Sequence, residues 1–233
     1  MTPKDRLIVA LDVGDAKSAR GLVSSLAGEV GLFKVGSELF VSAGPAFVRE
    51  LVEGGEKVFL DLKFHDIPNT VARAVRSASL LGATFVDLHA LAGSAALKAA
   101  AKERGESRLL AITILTSHDE GTLLELGIQG PIVEAVSRLA RLAQDAGASG
   151  VVASPEEAGR IRSVCGPDFV IVTPGIRPAG SAANDQARLS SPAAALSGGA
   201  DYLVVGRPIT EASNPREAAR AIVAEMATAL AGR

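Results

Sequence analysis

Short runs of apolar, largely β-branched residues alternate with alanine-rich segments along the whole chain. The runs have the length and continuous hydrophobicity of parallel strands that are buried on both faces. Eight strands are predicted in this way: Leu7–Val13, Gly31–Gly36, Lys57–Lys63, Phe85–Ala90, Leu109–Leu115, Gly150–Ser154, Phe169–Ile176 and Tyr202–Gly206.

The segments between these strands repeat their apolar residues at helical spacing. After the third strand, Val71, Val75 and Ala78 share one helical face, which Asn69 or Thr70 can cap and Gly82 can end. The same spacing predicts further helices around Asp15–Leu26, Gly44–Gly54, Ser94–Arg104, Ile132–Ala146, Pro155–Ser163 and Pro215–Ala231.

Eight strand-helix units without a break in composition predict an α/β fold, a closed (β/α)8 TIM barrel. We expect residues 1–233 to form one domain, since barrels of this length are commonly a single unit. An open, doubly wound sheet is the alternative, because it is built from the same units.

Composition excludes several classes of partner. The net charge is -2, the basic residues are dispersed, and the chain has one Tyr and no Trp, so we expect no nucleic-acid partner. No apolar run is long enough to cross a membrane. The single cysteine, Cys165, has no partner for an internal disulfide. A cytoplasmic location is therefore expected.

The most informative stretch follows the third apolar run and contains Asp61, Lys63 and Asp66. Asp61 and Lys63 are two residues apart, so in a strand they share a face, and Asp66 lies in the following loop. In a barrel, functional groups lie at the carboxyl ends of strands. The stretch therefore predicts a catalytic site, with an ion-pair network that merely closes a strand end as the alternative.

Other polar residues occur in or at the ends of most of the remaining predicted strands. Burying such groups without a partner is costly, so their repeated placement favours a shared site over coincidence. The residues at these ends are Asp12, Lys34, Asp87, His89, Thr116, Arg177 and Arg207. Asp87 and His89 are candidates for orienting the lysine network, and a structural histidine is the other interpretation of His89.

The order of these motifs resembles the bacterial-type orotidine 5'-phosphate decarboxylases over about Leu7 to Thr210. The D-x-K-x-x-D pattern alone is shared with sugar-phosphate decarboxylases of the same superfamily, but the complete set is specific. The matching segments are Ala10-Leu11-Asp12, Phe33-Lys34-Val35-Gly36, the D-x-K-x-x-D of Asp61, Lys63 and Asp66, Thr173-Pro174-Gly175-Ile176-Arg177, Asp185-Gln186 and Val205-Gly206-Arg207-Pro208.

The resemblance implies that orotidine 5'-monophosphate loses CO2 to give uridine 5'-monophosphate, without a cofactor or a metal. It implies that Lys63 protonates C6 of the pyrimidine and that Asp61 and Asp66 flank this lysine. It also implies that Asp12 and Lys34 hold the ribose. The chain has no dinucleotide motif, P-loop or Cys/His cluster that would supply another electron sink.

The remaining roles implied by the resemblance concern the base, the phosphate and a second subunit. Asp66 and Thr70 are expected to reach the partner's site in a homodimer. Thr116 would bond the pyrimidine, with Ser117 as the neighbouring alternative. The expected contacts to the base and the phosphate are completed by Pro174, Arg177, Gln186, Gly206 and Arg207.

Three other functions remain open from the sequence. A magnesium-dependent sugar-phosphate enzyme would bind its metal through carboxylates such as Asp61. A Schiff-base aldolase would need Lys63 neutral, which flanking carboxylates oppose. A non-catalytic barrel that binds a phosphorylated ligand is the third.

Overall fold

Eight parallel strands form a closed barrel in the computed structural model, which describes residues 1–178 and 190–231. Each strand pairs with its neighbours in sequence, and β8 pairs with β1 to close the barrel. This order confirms the predicted barrel and rules out the open sheet. The strands are β1 (Leu7–Ala10), β2 (Leu32–Gly36), β3 (Val58–Phe64), β4 (Phe85–His89), β5 (Arg108–Ile112), β6 (Gly150–Val152), β7 (Val170–Thr173) and β8 (Tyr202–Val205).

Helices connect the strands and cover the outside of the barrel. Several begin at the side-chain caps that their sequences favour: Asp15 accepts a hydrogen bond from the amide of Ser18 (2.9 Å), and Ser154 caps the helix that starts at Pro155. The helices are α1 (Ala16–Leu26), α2 (Ser37–Glu53), α3 (Pro68–Ser79), α4 (Gly93–Glu103), α5 (Glu120–Glu125), α6 (Ile132–Asp145), α7 (Pro155–Cys165), α8 (Pro192–Ser197), α9 (Arg207–Thr210) and α10 (Pro215–Ala231).

Two helix predictions need correction. Helix α2 begins seven residues before Gly44 because β2 leads directly into it, and Gly44 (φ 72°) and Pro45 mark a kink inside it rather than its start. Helix α3 begins at Pro68, so Asn69 and Thr70 lie within its first turn and do not cap it. Proline has no amide hydrogen to satisfy and its fixed φ suits a first helical position.

Several strands end earlier than predicted. Strand β5 stops at Ile112 and β7 at Thr173, although Ile114 and Ile176 beyond them are buried. These apolar residues cover the core from loops. An apolar run in the sequence does not distinguish a buried strand residue from a buried loop residue.

The interior of the barrel is apolar at its amino end and charged at its carboxyl end. Phe59 and Phe85 pack edge to face with ring centroids 6.0 Å apart, and Tyr202 contacts Phe85 from the other side. One layer higher on the same strands, the inward positions are Asp61 and Asp87. The aromatic layer therefore closes the bottom of the barrel beneath the polar groups.

Among the described residues, no helix has the length and hydrophobicity to cross a membrane.

Candidate active site

A cavity of about 450 Å³ opens at the carboxyl ends of the strands, where a barrel of this kind holds its functional groups. It brings together side chains that are far apart in the sequence and come from most of the strands. Of the eleven predicted site residues that the structure describes, nine line it: Asp12, Lys34, Asp61, Lys63, Thr116, Pro174, Arg177, Gly206 and Arg207.

Four of these residues form a continuous chain of alternating charges. The Nζ of Lys34 lies 2.8 Å from Oδ1 of Asp12 and 3.3 Å from Oδ2 of Asp61. The Nζ of Lys63 lies 2.5 Å from Oδ1 of the same Asp61 carboxylate. Asp61 therefore holds one lysine on each oxygen, and the sequence order Asp12, Lys34, Asp61, Lys63 is also the order of the charges in space.

Burial differs along this chain of charges. The side chains of Lys34 and Asp61 are only 11% and 10% exposed, whereas those of Asp12 and Lys63 are 58% and 39% exposed. Asp61 and Lys34 thus anchor the network, while Lys63 and Asp12 present their charged groups to whatever enters the cavity.

The network fixes the charge states of its buried members. Burial alone would raise the pKa of Asp61, but a hydrogen bond with Asp87 and the charges of Lys34 and Lys63 together lower it. Burial alone would lower the pKa of Lys34, and the carboxylates of Asp61 and Asp12 outweigh that effect and raise it. Asp61 is therefore an anion and Lys34 a cation at neutral pH.

Gly36 leaves the space that the Asp12–Lys34 ion pair occupies. A Cβ atom at this position would lie 3.0 Å from Nζ of Lys34 and 3.4 Å from Oδ1 of Asp12. A larger residue would have to displace the lysine, so the glycine of the Phe33-Lys34-Val35-Gly36 motif has a steric role next to the charges.

The cavity also has an apolar wall, which the sequence analysis did not assign to the site. Ile114, Ala153, Val204 and Phe59 contribute their apolar side chains to its lining. Such a wall suits the face of a flat, uncharged ring. Val204 lies on β8, so the alternation of inward and outward residues along that strand could have indicated it. Ile114 and Ala153 lie in loops after their strands, where this alternation gives no indication.

Two arginines enter the cavity from the last two strand-helix connections. Arg177 follows β7, and its guanidinium donates a hydrogen bond to the carbonyl oxygen of Ile176 (2.9 Å). Arg207 is the first residue of α9 and directly follows Gly206. Thr116 lines the cavity after β5, whereas the neighbouring Ser117 is exposed and does not. These placements agree with the positions expected for phosphate and base contacts, and the roles themselves stay predictions.

Two predicted site residues lie elsewhere, and a third is not among the described residues. Asp66 and Thr70 are exposed and do not line the cavity of their own chain, and the Asp66 carboxylate accepts a hydrogen bond from the amide of Ile67 (2.6 Å). Gln186 lies outside the described residues, as does the Asp185 that precedes it.

The histidines and the cysteine do not enter the cavity. The rings of His65 and His89 lie against each other with centroids 5.4 Å apart, and burial together with His65 lowers the pKa of His89, which keeps it neutral. Cys165 is buried and unpaired. Within residues 1–178 and 190–231, no group of three His, Cys, Asp or Glu side chains is arranged to hold a metal ion.

The sequence is similar to those of known proteins over nearly its whole length. The family described as "Orotidine 5'-phosphate decarboxylase / HUMPS family" matches residues 5–222. The orotidine 5'-phosphate decarboxylase of Trichlorobacter lovleyi is 50% identical over 230 residues, which cover 96% of this chain and 95% of the relative. The enzyme of the same name from Moorella thermoacetica is 52% identical over 236 residues, with 97% and 94% covered.

The fold is also similar to solved structures of proteins with this name. The crystal structure of the orotidine 5'-phosphate decarboxylase from Lactobacillus acidophilus superposes with a TM-score of 0.85 at 40% identity, covering 94% of this chain and 98% of that one. The structure of the enzyme from Pyrococcus horikoshii OT3 gives a TM-score of 0.78 at 30% identity, with 94% and 98% covered.

Proposed function

Because the chain belongs to the orotidine 5'-phosphate decarboxylase / HUMPS family, we propose that it converts orotidine 5'-monophosphate to uridine 5'-monophosphate and CO2, the last step of pyrimidine nucleotide synthesis de novo. The observation that carries the proposal is the arrangement at Asp61. Its buried carboxylate holds Lys34 and Lys63 on its two oxygens, inside a cavity that two arginines also line.

The reaction requires electrostatic stabilisation of the charge that develops on the pyrimidine. Loss of CO2 leaves an electron pair on C6 of the pyrimidine, in an orbital that the ring cannot delocalise. In the proposed mechanism no cofactor acts as an electron sink, so the charge is stabilised by the protein itself. Lys63 is suited to this task because its Nζ lies in the cavity's charged network, 2.5 Å from the Asp61 carboxylate. The ammonium group stabilises the forming carbanion, donates its proton to C6 and is left neutral until it takes a proton from solvent.

Asp61 contributes by opposing the substrate carboxylate before CO2 departs. Two like charges about 4 Å apart repel by about 4 kcal/mol at an effective dielectric constant of about 20. Relief of that repulsion corresponds to roughly three decades in rate, at about 1.4 kcal/mol for each decade. Because Asp61 is held by Lys34 as well as Lys63, it stays ionised and in place while the substrate binds.

The larger share of the rate enhancement is assigned to Lys63 and to binding energy at the phosphate. Arg177 and Arg207 would bind the phosphate oxygens, since a guanidinium group forms paired hydrogen bonds with them. In the proposed complex Gln186 and Gly206 complete this end of the site. Binding energy from the phosphate, remote from the reacting carbon, orients the pyrimidine and offsets the cost of placing its carboxylate near Asp61.

Between these two ends lie the proposed contacts to the ribose and the base. In the proposed complex Asp12 and Lys34 would bond the ribose hydroxyl groups, which is supported by their ion pair at the lining of the cavity. Thr116 would bond the polar edge of the pyrimidine, and Pro174 would lie against its face. The apolar wall described above supports this placement of the flat ring.

We also propose that the active form is a homodimer in which Asp66 and Thr70 complete the partner's site. Both residues are exposed at the start of α3, on the same side of the barrel as the cavity, and neither reaches the cavity of its own chain. Ile67 between them is 67% exposed, which favours burial against a second copy. In this arrangement Asp66 supplies the second carboxylate near the partner's Lys63.

A cytoplasmic location is proposed as well. It is supported by the unpaired thiol of Cys165, which suits a reducing compartment, and by the biosynthetic reaction.

The function is tested by incubating purified protein with orotidine 5'-monophosphate and following the loss of substrate absorbance, with chromatographic identification of the nucleotide product. We expect complete conversion to uridine 5'-monophosphate at an unchanged rate in the presence of EDTA. Loss of activity in EDTA would support the magnesium-dependent alternative. Covalent trapping of a substrate by borohydride at Lys63 would support the Schiff-base alternative.

A further inference from the structure

The main chain at Lys63 adopts an unusual conformation. Lys63 has φ 51°, and no other residue except glycine has a positive φ among the described residues. This conformation is unfavourable for a side chain with a Cβ atom, and such strain persists only where the surroundings enforce it. The pairing of β3 with β4 shifts at the same place, from Leu60 opposite Val86 to Phe64 opposite Leu88. Four residues on β3 therefore span the distance of two on β4.

Asp87 on β4 contacts the main chain at this bulge. Its Oδ1 accepts a hydrogen bond from the main-chain amide of Lys63 at 2.8 Å, an interaction that the regular strand ladder would not allow. The Asp87 side chain has no exposure to solvent. The buried carboxyl group thus fixes the backbone from which the Lys63 side chain projects into the cavity.

The second oxygen of Asp87 has no donor. Oδ2 is buried, and none of the described residues gives it a hydrogen bond. The group beside it is the carboxyl group of Asp61, which is itself an acceptor and already holds Lys34 and Lys63. Two adjacent carboxylates can share this space favourably only if one of them carries a proton and donates it to the other.

We propose that Asp87 is a positioning residue of the decarboxylase site: one oxygen holds the left-handed main chain of Lys63, and the other carries a proton that is hydrogen-bonded to Asp61. Asp87 does not touch the substrate. It acts by holding the Asp61 carboxylate and the Lys63 ammonium group in fixed positions relative to each other. The proposal rests on the proposed function and adds a residue and a protonation state to it.

The surroundings favour the proton on Asp87 rather than on Asp61. Burial and the negative charge of Asp61 raise the pKa of Asp87 well above its usual range, against the smaller opposing effect of Lys63. Asp61 has two lysine partners, whereas Asp87 has, among the described residues, the amide of Lys63 as its one donor in addition to the proposed proton. A neutral acid at Asp87 leaves the full negative charge of the pair on the member that faces the cavity.

The other charged groups around Asp87 do not supply a competing partner. On β2, Lys34 is paired with Asp61 and Asp12, and on β4 itself His89 lies against His65. The one charged residue of β5, Arg108, lies at the opposite end of that strand over the ring of Phe85. Helix α3 covers the outer face of β4, toward which Val86 and Leu88 point.

Two substitutions separate the proposed role from a merely structural one. Asp87→Asn keeps an oxygen for the amide of Lys63 and an N–H donor for Asp61, so it reproduces the neutral acid. Asp87→Leu has a similar size and removes both hydrogen bonds. We expect Asp87→Leu to lower kcat by roughly 100-fold, since displacement of reacting groups by about 1 Å costs this much, with little change in KM for orotidine 5'-monophosphate. Asp87→Asn should restore most of this loss, and Asp145→Asn, at an exposed position on α6, is the control.

The pH profile supplies a readout that a packing role would not change. In the wild-type protein, activity should fall at high pH when Asp87 loses its proton and repels Asp61. The Asp87→Asn variant has no proton to lose, so this fall should disappear or move to higher pH. Superimposable alkaline limbs for the two proteins, or an Asp87→Asn variant as impaired as Asp87→Leu, would overturn the proposal.

An infrared difference spectrum detects the proton without any assay. Wild type minus Asp87→Asn should contain the carbonyl band of a protonated carboxyl group at neutral pH, and a carboxylate band in its place would contradict the proposal. If instead the wild-type protein fails to decarboxylate orotidine 5'-monophosphate, the proposed function fails, and the infrared result still decides whether Asp87 is neutral.

Discussion

The ammonium group of Lys34 lies 3.3 Å from the carboxylate of Asp61, and both side chains are about nine-tenths buried. The second partner of Lys34, Asp12, is more than half exposed. Lys34 therefore stabilises one buried charge and one solvated charge, and the two contacts differ in what they contribute to stability and to binding.

Removing one member of a buried ion pair leaves the other without compensation. We expect Lys34→Ala to lower the free energy of unfolding by about 3 kcal/mol, since Asp61 loses one of its two lysines inside the barrel. Asp12→Ala should cost less than about 1 kcal/mol, because exposed pairs contribute little. Urea denaturation of both variants measures the difference, and equal losses would show that the buried and the exposed ion pair contribute equally to stability.

Removal of the Arg207 guanidinium, which is proposed to bind the phosphate, should weaken binding of the phosphorylated substrate selectively. Arg207→Ala loses a charge-assisted interaction of about 1.5–3 kcal/mol, so we expect roughly a 10–100-fold loss in kcat/KM for orotidine 5'-monophosphate. The slow reaction of orotidine, which has no phosphate, should be unaffected. Kinetics with both substrates test this, with Arg160→Ala on the exposed side of α7 as the matched control. Equal losses for the two substrates would show that Arg207 acts elsewhere.

The proposed dimer predicts complementation between two inactive variants. Lys63→Ala lacks the proposed proton donor, and Asp66→Ala lacks the carboxylate that is proposed to serve the partner's site. In a mixed dimer both defects fall in one site and the other site is intact. An equal mixture that exchanges subunits should therefore regain about a quarter of the native sites. A mixture as inactive as its components, although mixed dimers form, would place Asp66 in its own chain's site.

The raised pKa of Asp87 predicts how stability changes with pH. The folded protein keeps the Asp87 proton at pH values where the unfolded chain has lost it. The stability associated with this group is therefore fully present below about pH 4 and is lost as the pH rises toward the folded pKa, by up to about 1.4 kcal/mol for each pH unit. Asp87→Asn has no such loss, so its stability relative to wild type should increase with pH. Asp61 titrates in both proteins and cancels in the comparison.

Denaturant unfolding of wild type and Asp87→Asn between pH 4 and neutrality measures this difference. A constant difference over the range would mean that Asp87 is ionised in the folded protein.

Much of the barrel is predictable from the sequence because strands that are buried on both faces consist of continuous apolar runs. All eight strands follow from that pattern, and the end of α10 at Ala231 is also the predicted one. The errors in the predicted bounds occur where buried residues lie outside strands, or where a helix begins without a sequence signal. Ile114 and Ile176 are buried in loops, and the first half of α2 continues from β2 without the turn residues that mark a helix start.

The site was predictable to the extent that it depends on strand ends. The alternation of inward and outward residues in β3 places Asp61 and Lys63 toward the interior, with Leu60 and Leu62 packed on the outside. The contact between Asp87 and the amide of Lys63 was not predictable, because it depends on the bulge between β3 and β4. A shift in register is decided by competing hydrogen bonds across two strands, and neither strand's sequence specifies it alone.

The central claim is that Lys63 carries out the proton transfer of a cofactor-free decarboxylation. The most direct test follows absorbance loss of orotidine 5'-monophosphate in metal-free buffer with wild type, Lys63→Ala and Lys57→Ala. Lys57 is an exposed lysine immediately before the same strand, at the opposite end of the barrel. We expect wild type and Lys57→Ala to convert all substrate, and Lys63→Ala to be slower by at least roughly 10³-fold while still binding uridine 5'-monophosphate. A Lys63→Ala rate within tenfold of wild type, or no substrate loss with folded wild-type protein, would contradict the account.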